Sequence, residues 1–335
     1  MKRPSKRQLL VGFLERTGLR WLLTTFPRWQ GVSVLAYHRI GDGSASLFDR
    51  GLWSATPDDF EEQIRYVKRC FDVITIDHLA EALRKGRGRF LLITFDDGYR
   101  DNYEQAFPIL RSQGVGATFF VTSGFLDDRP VAWWDDIAWM VRVSPRQAIS
   151  GGGWFSGEVV FDPPDREQAI RSLLRVFKAL PTYQTTRYLD FIAEETGSGR
   201  CPNHLADKIW MTWDMVREMR RADMSIGGHT VSHPVLANLS RDEQRQEIAD
   251  CAGRIAKVLG EYPRSMSYPV GRQEGFNAET QDCVTDCGLE YAFSYYGGAQ
   301  TFASWNPLNF CRIPVDSDIL QDEFRVNLMV AQWAR

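Results

Sequence analysis

The sequence has few histidines and cysteines, no long hydrophobic run and no excess of charge of one sign. Its 40 Lys and Arg residues nearly balance 43 Asp and Glu residues, which gives a formal net charge of −3 over 335 residues. This balance argues against a nucleic-acid-binding protein held by a strongly basic surface. The six cysteines are scattered through a chain that is long enough to fold without disulfide bonds, so we expect reduced thiols.

The composition is otherwise that of a globular protein with a large core. Hydrophobic residues make up 44% of the chain and charged residues 25%, which is close to the average for such proteins. Aromatic residues reach 13%, with 11 Trp. Because aromatic rings stack on sugars as well as filling cores, this content weakly favours a carbohydrate ligand.

The N-terminal segment predicts a basic amphipathic helix over residues 1–30. Its apolar run Leu9–Leu14 is too short for a signal-peptide core or a membrane span. Arginines alternate with apolar residues after it, so the helix either docks on the domain or rests on an anionic membrane surface through residues 1–28. We therefore expect a cytoplasmic protein, peripheral to the inner membrane in the second case.

Strand and helix patterns alternate over residues 31–320, which we interpret as one domain. This alternation predicts parallel βαβ units in a barrel or an open sheet, and the number of strands favours a barrel. The stretch of about residues 126–210 differs, because it has few strand signals and several helical patterns. We interpret it as a mostly helical insertion.

Two pairs of polar residues follow strand patterns. Asp96 and Asp97 end the apolar run Phe90–Phe95, where adjacent carboxylates can serve different partners, although a helix N-cap is the alternative interpretation. His229 and His233 are two of only five histidines. On a helical turn their spacing would bring both imidazoles to one face, which suits a shared metal. Two imidazoles and one carboxylate leave coordination positions open, as in hydrolytic sites.

A third motif, Tyr268–Gly271, predicts a strand-to-loop turn that could aim a main-chain N–H at a reacting oxygen, although by itself the motif favours a plain turn. Together with Thr94–Gly98 and His229-x-x-x-His233, it resembles the polysaccharide deacetylase family, the NodB-homology domain of carbohydrate esterase family 4. The resemblance implies an α/β fold, a distorted (β/α) barrel of about seven strands, with a divalent metal. It also implies removal of acetyl groups from N-acetylhexosamines, or from O-acetyl sugars in some members.

The resemblance also implies a role for each matching residue. Asp96 would be the general base, while Asp97, His229 and His233 would bind the metal. The main-chain N–H of Val270 would help to hold the oxyanion. Zinc is the default metal for two histidines and a carboxylate, and cobalt, nickel and manganese also fit such sites.

The general acid is expected at the other end of the chain. Many family members supply it from a C-terminal histidine, but no histidine follows His233 here. Leu35–Ile40 resembles instead the branch that deacetylates poly-N-acetylglucosamine and related exopolysaccharides. In that branch the histidine of an N-terminal Tyr-His motif takes the acid role. We assign His38 on that basis, and a histidine that only caps the barrel is the alternative.

The sequence departs from the family at Ser267, where an arginine that orients the base is common. Either another residue orients the base or the base is held differently. Trp133, Trp134 and Asp135 look like the substrate-facing loop of the branch, and we add Tyr268 as a substrate-binding residue. The alternative is that the tryptophans fix the insertion to the barrel.

We therefore predict a metal-dependent carbohydrate N-deacetylase in exopolysaccharide or lipopolysaccharide biosynthesis. Its partner would be an N-acetylated polysaccharide or its precursor, and no nucleic acid. Two alternatives stay open. One is a sugar O-acetyl esterase with the same site chemistry, and the other is a glycan-binding protein that has lost catalysis.

Overall fold

The computed structural model of the protein describes residues 29–163, 166–317 and 319–330. Nearly all of the helix predicted over residues 1–30 lies outside these ranges. That helix, the membrane contact of residues 1–28 and the cytoplasmic location therefore stay predictions. Among the described residues, no helix is both long enough and apolar enough to cross a membrane.

A parallel sheet of eight strands forms the centre of the described structure. The strands of the described chain, in order, are β1 (Gly31–Tyr37), β2 (Arg39–Ile40), β3 (Trp53–Ala55), β4 (Asp72–Ile74), β5 (Arg89–Phe95), β6 (Thr118–Val121), β7 (Ala148–Ser150), β8 (Glu158–Val160), β9 (Ser225–Gly228), β10 (Ser265–Ser267), β11 (Tyr291–Phe293) and β12 (Ile313–Pro314). The sheet runs β11-β10-β9-β6-β5-β1-β12, and β4 pairs with β5 beside this path. β2 pairs with β3, and β7 with β8, in separate ribbons.

The two ends of the sheet path approach each other. Phe310, just before β12, donates its main-chain N–H to the carbonyl of Ala292 in β11 at 2.8 Å. The N–H of Ser294 in turn donates to the carbonyl of Phe310 at 3.0 Å. The sheet therefore curls into the distorted (β/α) barrel that the sequence predicted.

Side chains of β5 alternate between two hydrophobic layers, as the two-residue period of a strand requires. Phe90 and Leu92 belong to a cluster inside the curved sheet. Leu91, Ile93 and Phe95 belong to a larger cluster that packs against the surrounding helices. The alternation brings Asp96 to the inner side when the strand ends.

Most of the helices pack around the outside of the sheet, and the others belong to the insertion. In the described chain they are α1 (Pro57–Cys70), α2 (Leu79–Lys85), α3 (Phe107–Gln113), α4 (Ser123–Asp128), α5 (Trp133–Val143), α6 (Glu167–Ala179), α7 (Thr182–Thr196), α8 (Trp213–Arg221), α9 (Arg241–Leu259), α10 (Ala278–Asp286) and α11 (Gln321–Val330). Local sequence fixes several starts. Ser240 and Glu243 form a reciprocal capping box before α9, and Thr56 caps α1, which begins with a proline.

The insertion lies between α4 and α8 and has a hydrophobic core of its own. Helices α5, α6 and α7 contribute buried residues such as Ile137, Leu173 and Ile192 to that core. The insertion also contains the antiparallel pair β7–β8, which the sequence did not predict. Each of these strands has only three residues, too few to produce a recognisable alternation.

Candidate active site

The polar residues singled out in the sequence meet at the carboxyl ends of the parallel strands, where barrel enzymes place their chemistry. His38 follows β1, Asp96 and Asp97 follow β5, and His229 follows β9. Val270 lies in the turn after β10. These residues, together with His233, line one cavity of ≈ 390 Å³.

Asp97 faces both imidazoles of the histidine pair. Its Oδ1 atom lies 3.3 Å from Nε2 of His229 and 3.4 Å from Nε2 of His233. All three side chains are buried, and Oδ1 has no hydrogen-bond partner among the described residues. His229 Nδ1–H donates to the carbonyl of Ser267 at 2.7 Å, which leaves Nε2 free to bind a metal. This buried donor set fits a divalent ion.

The segment from His229 to His233 is not the helical turn that the spacing suggested. Thr230 and His233 have φ values of 66° and 56°, in the left-handed region, so the chain winds irregularly between the two imidazoles. Asp97, with φ 74°, and Val270, with φ 62°, share this conformation. Non-glycine residues rarely adopt it, and such strain is typical of functional sites.

Asp96 is held by an arginine that the sequence analysis did not identify. Both guanidinium NH₂ groups of Arg312 donate to the Asp96 carboxylate at 2.7 Å, one to each oxygen. Arg312 is fully buried, and it also donates to Ser267 Oγ at 2.6 Å and to the Ser294 carbonyl at 2.7 Å. Arg312 therefore orients Asp96 in a chain that has serine at position 267. The sequence signal for Arg312 is a single cation within the otherwise apolar pattern Phe310–Val315.

The two neighbouring aspartates are both ionised, for different reasons. Burial alone would raise the pKa of Asp96, but the Arg312 guanidinium and nearby histidines hold that pKa well below its usual range. Burial also opposes ionisation of Asp97, whereas the neighbouring imidazoles of His229 and His233 lower its pKa. Burial and the neighbouring His229 lower the pKa of His233 to about 3, so its ring is neutral and offers a lone pair.

His38 faces the same cavity on a firmly held main chain. Its N–H donates to Ser54 Oγ at 3.0 Å, and its carbonyl accepts from Asn102 Nδ2 at 2.6 Å. The imidazole is half-buried and packs edge-on against Tyr295, with ring centroids 5.1 Å apart. The backbone is thus fixed while the ring lines the cavity.

The predicted tryptophan pair lies in the first turn of α5 and not in a loop. Both rings line the cavity. Trp133 also stacks on Phe177 of α6, with centroids 4.2 Å apart, and donates its indole N–H to the His233 carbonyl at 3.3 Å. Trp134 packs edge-on against the His233 ring. The tryptophans therefore join the insertion to the barrel end while still presenting ring surface to the cavity.

Asp135 is fully buried and is not among the residues that line the cavity. Its Oδ1 atom accepts the main-chain N–H of Asp49 at 2.9 Å, and burial raises its pKa to about 7. We therefore do not propose that Asp135 contacts the sugar directly. Tyr268 lines the cavity, but its hydroxyl donates to the Leu308 carbonyl at 2.9 Å, so only its ring faces the space.

The fold and the site define a carbohydrate deacetylase, and the chain belongs to the polysaccharide deacetylase family. The sequence model of that family matches residues 84–144 and 167–292, together more than half of the chain. Members are hydrolases that remove acetyl groups, and the class of substrate is accordingly an acetylated carbohydrate.

Known relatives are distant in sequence but similar in fold. YxkH of Bacillus subtilis, whose name describes it as a polysaccharide deacetylase, is 22% identical over 302 residues, which cover 89% of this chain and 76% of that protein. The Streptococcus pyogenes deacetylase PplD in complex with acetate has a TM-score of 0.60 at 18% identity, covering 90% of this chain and 99% of its own. The de-N-acetylase from Aggregatibacter actinomycetemcomitans has a TM-score of 0.57 at 18% identity, with 89% and 99% covered.

Proposed function

We propose that the protein is a metal-dependent hydrolase that removes N-acetyl groups from N-acetylhexosamine units of a bacterial polysaccharide or its precursor. The observation that carries this proposal is the pair of adjacent aspartates with separate partners. Asp97 faces two imidazoles, and Asp96 is fixed beside it by Arg312. The structural relative named as a de-N-acetylase supports an amide substrate over an ester.

Asp97, His229 and His233 would hold the metal. Zn²⁺ is the default ion for two imidazoles and one carboxylate, and Co²⁺, Ni²⁺ or Mn²⁺ are the alternatives. A bound ion supplies Lewis-acid activation of the acetyl carbonyl and of the attacking water. The hydrogen bond from His229 Nδ1–H to the Ser267 carbonyl keeps the ring in the orientation and tautomer that this role needs.

Asp96 is the proposed general base. Its carboxylate is ionised, so it can accept a proton from the attacking water as the water oxygen bonds to the acetyl carbon. Arg312 contacts both oxygens of the carboxylate and prevents it from rotating away from the cavity. Arg312 is therefore a positioning residue.

His38 is the proposed general acid. As the bond between the acetyl carbon and the sugar nitrogen breaks, the protonated imidazole donates to that nitrogen, which leaves as an amine while acetate forms. The main-chain N–H of Val270, in the strained turn after β10, would hold the oxyanion.

The acid assignment is tested with His38→Ala, with His204→Ala as the control. His204 is an exposed histidine of the insertion. We expect His38→Ala to release acetate from N-acetylglucosamine oligosaccharides about 10²- to 10⁴-fold more slowly. Its metal content by elemental analysis should be unchanged, and His204→Ala should match the wild type in both measurements.

Full turnover by His38→Ala would show that another group protonates the leaving amine.

Paired N- and O-acetylated substrates, offered to the wild type, test which bond the protein hydrolyses. We expect release from the amide, and release from the O-acetyl ester alone would replace the N-deacetylase with an esterase.

A further inference from the structure

One wall of the cavity is built by the insertion. Helix α6 contributes Glu167, Arg171, Leu174 and Lys178, whose spacing of three or four residues places them on one face of the helix. Arg272, from the turn after β10, lines the same space. Three cationic side chains therefore share the cavity with Asp97, His229 and His233, which we call the aspartate–histidine cluster.

The acidic residues that line this cavity outside the cluster already have partners. Asp96 pairs with its buried arginine, and Glu167 forms an ion pair with Arg142. Asp49 accepts the main-chain N–H two residues further on at 2.9 Å. Asp316 also interacts within the protein. These contacts do not cancel the charge of Asp49, which still attracts Lys178.

Two of the cations make no ion pair in the part of the chain that the structure describes. Lys178 and Arg272 are exposed, and no carboxylate oxygen among the described residues lies within ion-pair distance of either group. Among the residues that the structure describes, Arg171 forms an ion pair with Glu167 alone, at 3.9 Å. The Lys178 ammonium lies 5.8 Å from the ring centre of Trp133, whose ring also lines the cavity.

The two unpaired cations also affect each other. Lys178 stands in a concave wall, and the surrounding protein is the main cause of its lowered pKa. The positive charge of Arg272 lowers that pKa further, while Asp49 and Glu274 act in the opposite direction. A bound anion would offset this repulsion, since opposite charges attract strongly where solvent is partly excluded.

We propose that the substrate carries an oxyanion, a phosphate or a carboxylate, next to its N-acetylated sugar, and that Lys178 and Arg272 bind this group. The inference rests on the proposed function, because the anion site and the aspartate–histidine cluster share one cavity. The chemistry suits both oxyanions: the planar guanidinium forms paired hydrogen bonds, and the ammonium acts as a point charge. Arg171 is placed to contact a longer anionic substituent.

The test compares anionic and neutral sugars on the full-length protein loaded with Zn²⁺. The probes are N-acetylglucosamine 1-phosphate, a disaccharide of N-acetylglucosamine and glucuronic acid, and the neutral methyl glycoside of N-acetylglucosamine. Binding is measured by isothermal titration calorimetry and turnover by acetate release. The variants are Lys178→Gln and Arg272→Gln. Arg175→Gln is the matched control, since Arg175 is an exposed cation of the same helix that does not line the cavity.

We expect at least one anionic probe to bind more tightly than the neutral glycoside, by about tenfold for each cation engaged. Lys178→Gln and Arg272→Gln should each remove about that factor for the anionic probe, and Arg175→Gln should not. None of the three should change the affinity for the neutral glycoside. Preference for the phosphate or for the uronic acid identifies the source of the oxyanion.

Equal binding of anionic and neutral probes would overturn the inference. So would an anion preference that survives in both variants, because the oxyanion would then bind at the metal. Acetate release from the neutral glycoside with no anion preference would leave the proposed function standing and remove only the anion site. Anion binding that depends on Lys178, without acetate release from any probe, would support the anion site and contradict the proposed function.

Discussion

The carboxyl end of the barrel and the helical insertion show opposite relations between sequence and structure. At the barrel end, charged side chains are buried, and Asp97 Oδ1 accepts no hydrogen bond from the described part of the chain. Four of the seven described non-glycine residues with positive φ lie there. In the insertion, the buried side chains are mainly apolar and follow ordinary helical spacing. Backbone strain thus accumulates where we propose catalysis, whereas the insertion encloses the site and shapes its wall.

The largest effect on stability is expected at the barrel end, from Arg312→Met. This change leaves the buried Asp96 carboxylate without its counter-ion, which should lower the free energy of unfolding by about 3–5 kcal/mol. Arg312→Lys keeps the charge but cannot contact both oxygens, so the folded variant should lose about 10- to 100-fold in turnover, with metal content unchanged. Denaturant unfolding and acetate release provide the two measurements.

Arg254→Met is the matched control for Arg312→Met. Arg254 also contacts both oxygens of an aspartate, Asp127, but both side chains are one-third exposed. We expect it to cost no more than about 1 kcal/mol. If Arg312→Met and Arg254→Met lost equal stability, burial would not make the ion pair at the barrel end more stabilising than the one at the surface. Full turnover by Arg312→Lys would show that Arg312 does not need to contact both oxygens to position Asp96.

A smaller effect, confined to stability, is expected in the insertion from Leu173→Ala. Leu173 is fully buried in the insertion core, and its truncation should lower the free energy of unfolding by about 2–4 kcal/mol. Metal content should not change, since the cluster stands on strand ends of the barrel. Leu320→Ala, at a side chain that is 74% exposed, should cost less than about 0.5 kcal/mol. Loss of metal in Leu173→Ala would show that the two regions depend on each other.

The sequence predicted the features that depend on local pattern. The central strand before Asp96 and Asp97, the strand Ser225–Gly228 before His229, and helices such as Arg241–Leu259 all follow from hydrophobic period and capping residues. The meeting of these residues at one end of the barrel follows from parallel strand direction. The prediction of a barrel with a mostly helical insertion is confirmed.

The features that the sequence did not predict depend on distant contacts or on irregular backbone. Arg312 lies 216 residues after Asp96, and only the sheet order brings β12 beside β1 and its tip close to β5. No local pattern reveals that Thr230 and His233 take left-handed conformations, which non-glycine residues adopt only rarely. The cation pair of Lys178 and Arg272 likewise forms only when the insertion packs over the barrel end.

We propose that the two adjacent aspartates have different roles, with Asp97 binding the metal and Asp96 acting as the base. The most direct test measures metal content by elemental analysis and acetate release for Asp96→Asn and Asp97→Asn. We predict that Asp96→Asn keeps its metal but loses about 10²- to 10⁴-fold in turnover, while Asp97→Asn loses both metal and turnover. Metal retained in full by Asp97→Asn, or full turnover by Asp96→Asn, would contradict the account.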